Sequence, residues 1–164
     1  MKAQYHGIRT SDLDINCELW LSRLTSPNVP LKRDGVGQEY HYHTTRDLHT
    51  RQEFRDLTNA ILACLPEGCE LIDLWANLLT RGNYRTLHDH VRPETSVTLS
   101  GVLYLTDGSA LTFPRTSPLI SVAPRPGLLV VFPPSALHRV EPSYAVERWS
   151  LGFNARRTAR EVPV

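Results

Sequence analysis

The chain is short of the features that mark cross-linked, membrane-spanning or polymer-binding proteins. Cysteine is scarce: Cys17, Cys64 and Cys69 are the three present. They are odd in number and form no C-x-x-C pair, which argues against a disulfide framework or a thiolate zinc site and suits a reducing cytoplasm. Excess charge is also missing, since 18 Lys+Arg stand against 17 Asp+Glu for a net charge of +1. The sequence therefore shows no electrostatic footprint for nucleic acid or an anionic membrane surface. No stretch reaches the roughly 18 consecutive apolar residues that a membrane span needs, and the opening "MKAQYHGIRTSDLD" lacks the apolar segment of a secretion signal. The 164 residues fit one domain, 1–164, able to bury a core without cross-links.

What is present divides into a helical part, about 1–66, and a β part, about 70–155. In "SDLDINCELWLSRL", Leu13, Cys17, Trp20, Leu21 and Leu24 recur at helical spacing behind a candidate cap at Ser11. Residues 25–49 are polar, carry Gly and Pro, and hold no sustained period, which reads as loops with at most a short strand. Thr50 and Glu53 then form a T-x-x-E capping-box pattern ahead of a helix buried through Phe54, Leu57, Ile61 and Leu65 and ended by "PEG" at 66–68. From Glu70 the pattern changes to short Val-, Leu-, Thr- and aromatic-rich runs near 70–79, 84–90, 97–106, 109–113, 118–123, 127–132, 137–142 and 145–153. That spacing predicts a mainly β fold, a double-sheet jelly-roll or cupin-like barrel, with the two helices packed on one sheet and the tail from Ala155 onward fraying.

Two stretches carry the chemistry. In "LHDHVRPETSVTLSGVLYL" strand alternation turns His88 and His90 to one face while Asp89 points away, a geometry that permits two metal ligands. "YHYH" offers the same spacing in His41 and His43 but without an evident third ligand, and these two, with His6 and His49, read as structural or surface histidines. In "GLLVVFPPSALHRVEPSYAVERWSLGFN" a buried strand leads through a Pro-Pro turn to His138, and Arg148 and Ser150 then share a face opposite Trp149 and Leu151. An inward arginine among apolar neighbours is costly unless it meets an anion; the alternative is an ion pair with Glu141 or Glu147.

The ordered elements Trp75 with Asn77, His88 with His90, Ser100-Gly101-Val102 with Tyr104-Leu105, Phe132-Pro133, His138 with Val140 and Pro142, and Arg148 with Ser150 and Phe153-Asn154 span about residues 45–155. Together they resemble the 2-oxoglutarate- and iron(II)-dependent oxygenases, specifically a group of small members with an H-x-H…H…R-x-S pattern. The resemblance implies a double-stranded β-helix with iron(II), 2-oxoglutarate and O2 meeting at one mouth of the barrel. It implies His88, His90 and His138 as catalytic metal ligands; because His90 stands where the wider superfamily usually has the aspartate of H-x-D, Asp89, brought round by a local bulge, is the alternative to His90. It further implies Arg148 and Ser150 at the distal carboxylate of 2-oxoglutarate, and Tyr104 and Thr98, on the same strand face, as helpers in co-substrate binding. Asn77, Arg81 and Arg85 are candidate substrate contacts near the mouth.

The implied reaction is oxidation of a C–H bond in a small-molecule substrate, hydroxylation above all, with release of succinate and carbon dioxide. Three rivals use the same residues. A three-histidine cupin-type oxygenase without 2-oxoglutarate leaves Arg148 without a task. A non-catalytic barrel would hold a carboxylate ligand. A zinc hydrolase would need Asp89 or Glu94 as general base. An open edge strand would allow a homodimer.

Overall fold

The computed structural model describes residues 4–5, 7–93 and 96–158. Its largest element pair is β5 (Cys69–Thr80) against β12 (Glu147–Arg157), antiparallel from Glu147↔Thr80 to Arg157↔Cys69. Around it a main sheet adds β1 (Gln4–Tyr5), β2 (Ile8–Asp12), β3 (Lys32–Val36), β4 (Glu39–His43), β7 (Leu99–Tyr104) and β10 (Leu128–Phe132), in the order β1-β2-β10-β7-β12-β5-β4-β3. A second sheet holds β6 (Arg85–His88), β8 (Leu111–Phe113), β9 (Ile120–Val122) and β11 (His138–Val140), in the order β6-β11-β8-β9. The result is the jelly roll expected, and each of the eight predicted strands is present.

Period-2 alternation in the main sheet sorts the side chains into two cores. Leu74, Ala76 and Leu78 of β5, Leu103 of β7, Leu129 and Val131 of β10, and Trp149, Leu151 and Phe153 of β12 face the helices. The alternate residues face the second sheet, where Tyr104, Val130 and Phe132 meet Leu111, Phe113 and Val140. The helices α1 (Cys17–Leu24) and α2 (Arg55–Leu62) close the first core through Trp20 and Leu24, and through Leu57 and Ile61. Phe54 and Leu65 flank α2 and are buried with it, as the helical spacing implied.

The helix boundaries depart from the sequence reading. Ser11 caps nothing: it pairs with Leu129 in the β2–β10 ladder, which already occupies the backbone groups a helix would use. The cap of α1 is Asn16, whose side-chain oxygen accepts from the Leu19 N–H at 3.0 Å. No Thr50–Glu53 capping box forms either, because two 3-10 turns, Leu48–Thr50 and Gln52–Phe54, precede α2, and the Thr50 hydroxyl donates to the Asp47 carbonyl at 2.8 Å. The segment read as loops contains the β3–β4 hairpin, joined to the main sheet by Tyr42↔Leu78 and His43↔Asn77. Ala155 to Arg157 do not fray but extend β12, while residues 159–164 lie outside the described residues. Among the described residues no helix is long and apolar enough to cross a membrane.

Candidate metal centre

The second sheet and the end of β6 assemble three imidazoles. β11 pairs with β6 so that His138 stands opposite His88. His90 follows two residues after the strand, fixed where its backbone N–H donates to the Pro134 carbonyl at 2.8 Å. Ring centroids lie 4.3 Å apart for His88 and His138, 5.0 Å for His90 and His138, and 5.7 Å for His88 and His90. One nitrogen from each falls within 4.8 Å of the others, the spacing of a shared ion.

The hydrogen bonds select which nitrogens face inward. His88 Nδ1 donates to the Thr86 carbonyl and His138 Nδ1 to the Ala136 carbonyl, both at 2.8 Å, and a carbonyl can only accept. His90 Nδ1 lies 3.0 Å from Asn154 Oδ1. The Asn154 amide is oriented in turn, because its Nδ2 donates to Asp73 at 2.8 Å and its oxygen accepts from Ser100 at 2.8 Å. Each imidazole thus carries its proton on Nδ1 and leaves the Nε2 lone pair for a metal, the outer-shell pattern of ligating histidines. Apolar and aromatic walls reinforce this: Phe132 is 4.8 Å and Phe113 5.8 Å from His138, and Trp75 is 6.0 Å from His90. Burial, followed by the neighbouring His88, pushes His138 down to about 3 and His90 down to about 4. Burial likewise lowers His88. The rings stay neutral at physiological pH and suit a borderline ion such as iron(II). Asp89 is outside this group; its carboxylate turns back to accept from the Val91 N–H at 3.2 Å.

These histidines open on a cavity of about 340 Å³ that Arg148 also lines. Although only 2 % exposed, this arginine has no carboxylate partner among the described residues. Its Nε donates to the Ser109 carbonyl at 3.0 Å and its guanidinium lies 5.0 Å from the centre of the Tyr104 ring. Glu141 pairs with Arg139 at 2.8 Å and Glu147 accepts from Trp149 Nε1 at 3.0 Å, so the surface-pair alternative does not form. The Tyr104 hydroxyl is buried beside this guanidinium, and burial raises its pKa against the opposing pull of Arg148. Gly108 leaves the room for Arg148: a Cβ there would stand 2.6 Å from its Cγ.

Ser150, Asn77, Arg85, Asp89 and Tyr104 line the same cavity as the histidines and Arg148. Two sequence candidates do not. Thr98 is on the expected face, but six residues at about 3.3 Å each carry it roughly 20 Å along the strand direction from Tyr104, where it accepts from the Arg157 N–H at 3.0 Å. Arg81 is exposed in the turn after β5 and does not reach the cavity. His41, read as a structural or surface histidine, is buried in the cavity wall with its Nδ1 3.0 Å from Arg85 Nη1. Arg46, Arg92 and the positioning residue Asp73 escaped the sequence reading altogether; an "R-P-E" and an isolated "I-D-L" carry no motif. His6 and Glu94 lie outside the described residues.

A jelly roll with a cluster of imidazoles facing a buried, unneutralised arginine defines a metal-dependent enzyme of the double-stranded β-helix class. The model of the 2OG-Fe(II) oxygenase superfamily matches residues 74–156, and the chain belongs to that superfamily. It is accordingly an oxygenase dependent on iron and 2-oxoglutarate, with dioxygen as the usual co-substrate of the family. The fold is shared with a Pseudomonas putida prolyl-4-hydroxylase, 23% identical over 94% of this chain and 94% of that one with a TM-score of 0.68. It is also shared with the epimerase SnoN in complex with Fe3+, alpha ketoglutarate and nogalamycin RO, 13% identical over 93% and 80% of the two chains, TM-score 0.77. HygX from Streptomyces hygroscopicus with nickel and 2-oxoglutarate bound is 12% identical over 94% and 84%, with a TM-score of 0.70. No curated protein matches the chain.

Proposed function

We propose that this oxygenase hydroxylates a C–H bond of a small-molecule substrate, holding iron(II) through His88, His90 and His138 and 2-oxoglutarate through Arg148. The observation that carries the reading is the pairing, in one cavity, of three neutral imidazoles with a buried guanidinium that lacks a counter-ion among the described residues. An unneutralised buried cation is strongly unfavourable, and a carboxylate is the ligand its planar fork fits. A three-histidine oxygenase that used no 2-oxoacid would leave that cost standing.

Bound iron would activate dioxygen, which is the oxidant: substrate C–H, 2-oxoglutarate and O2 become the alcohol, succinate and carbon dioxide. The remaining work belongs to the chain. His88, His90 and His138 would hold the iron and, as only three protein ligands, would leave room on it for the co-substrates. Arg148 takes the distal carboxylate of 2-oxoglutarate, and Ser150 and Tyr104 line the path between it and the histidines. The buried Tyr104 hydroxyl, held beside Arg148, is available to the same carboxylate. Phe113, Phe132 and Trp75 keep water from the metal side. We read residues 1–164 as one domain carrying this activity, and its three free cysteines as fitting the cytoplasm.

Anaerobic addition of iron(II) and 2-oxoglutarate to metal-free protein tests the proposal through the visible charge-transfer band of the chelate. The wild type should form the band, His138→Ala should lose it, and Arg148→Ala should require far more 2-oxoglutarate. Iron binding with no band at any 2-oxoglutarate concentration would sink the assignment.

A further inference from the structure

The charge of this cavity does not balance, even when loaded. Among the described residues four arginines, Arg46, Arg85, Arg92 and Arg148, line it with one carboxylate, Asp89. Asp73 adds a second carboxylate behind the wall, 3.8 Å from Arg46 and 3.4 Å from Arg92. Neutral imidazoles contribute no negative charge, so iron(II) and the 2-oxoglutarate dianion cancel one another and leave the positive excess in place.

That excess is concentrated at Arg85. From His88↔His138 to Arg85↔Val140, three steps along β6 span two along β11. This bulge turns Arg85 to the same side as His88, where simple alternation would send it away. Its Nη1 donates to Nδ1 of His41, a neutral ring that holds the guanidinium in place without neutralising it. Among the described residues no carboxylate pairs with Arg85. Arg46 lies near enough to feel the charges of Arg92 and Arg85, and it stacks 4.2 Å over the Trp75 ring, beside His90. Two positioned forks therefore border the side of the cavity where the histidines stand.

We propose that the cavity mouth is an oxyanion subsite in which Arg85, oriented by His41, and Arg46 bind a carboxylate or phosphate of the substrate. The substrate is then a small anion, held by this group with its reacting carbon toward the histidines. The inference rests on the oxygenase reading of those histidines and Arg148.

Inorganic phosphate and acetate serve as the probes, each titrated at constant ionic strength set with chloride into protein holding iron(II) and saturating 2-oxoglutarate without oxygen. The readouts are the chelate band and the thermal midpoint. At least one anion should bind wild type saturably, and the better one names the group. Arg85→Gln and Arg46→Gln should each weaken binding at least ten-fold, Arg85→Lys should restore part of it, and Arg139→Gln, remote from the cavity, should leave it unchanged. Saturable binding of neither anion, or wild-type affinity in Arg85→Gln, would overturn the subsite, while a normal chelate band in the same samples would leave the oxygenase reading standing. Absence of the band would defeat that reading instead, and the thermal midpoints of the same variants would still decide the subsite. Should Arg85→Gln fail to fold, Arg46→Gln and Arg85→Lys carry the comparison.

Discussion

Residue by residue, the site depends on side chains that touch no ligand as much as on those that do. Asn154 bridges Asp73 and His90, and its amide orientation decides which nitrogen of His90 is free. Replacing it with Ala should weaken iron binding by about 10–100-fold, the usual effect of losing a partner behind a metal ligand, and a competitive chelator titration reads this directly; unchanged affinity would remove Asn154 from the centre. Gly108 acts on the other pole. Its φ of +153° and the 2.6 Å approach to Arg148 mean that Gly108→Ala must displace the guanidinium. The KM for 2-oxoglutarate should rise at least ten-fold, with iron affinity unaltered in the same preparation. Such supports were only partly legible. His88, His138 and Arg148 stood out because a strand period places them, and Asn154 belonged to a recognisable "F-N" element. Asp73 and His41 owe their roles to pairings across the sheet, Asn154↔Asp73 and the His41–Arg85 bond, which no local pattern announces.

For the secondary elements, alternation in β5, β7, β10 and β12 builds a wall with a packed helix face and a functional cavity face. Mutations on the two faces should separate. Leu57 of α2 is fully buried on the helix side. Leu57→Ala should cost about 2–5 kcal/mol in denaturant unfolding and leave iron and 2-oxoglutarate affinities within two-fold of wild type. A parallel loss of affinity would show that the wall transmits strain. The β strands after Glu70 were readable because buried apolar runs alternate with Gly, Pro, Asp and Ser turns. The β3–β4 hairpin was not, since every residue of Lys32–Val36 is exposed and leaves no buried face to repeat. The start of α1 failed for a different reason: the helical spacing through Leu13 is real, but pairing with β10 claims Arg9–Asp12 first. The β6 bulge is equally invisible to a period-2 reading, so the sequence brings Arg85 near the mouth without fixing its direction.

At the scale of the whole molecule, the centre is a cluster of bases held neutral at the cost of acid stability. An unfolded histidine titrates near 6.5, whereas burial holds His138 at about 3 and both His90 and His41 at about 4. Their depressed folded values mean that unfolding takes up protons wherever the pH lies below about 6.5. Stability is therefore fully present above that value and declines as the pH falls toward 4, by up to about 1.4 kcal/mol per pH unit for each such histidine. Bound iron favours the same neutral rings, so it should oppose the decline until protons displace it. The thermal midpoint of metal-free protein should accordingly fall between pH 7 and pH 5, and His138→Ala should fall less steeply over the same interval. Iron-loaded protein should hold its midpoint to lower pH than the metal-free form. Parallel curves for wild type and His138→Ala would mean that His138 is not held neutral by the fold, and the centre would then have to be formed by the metal itself.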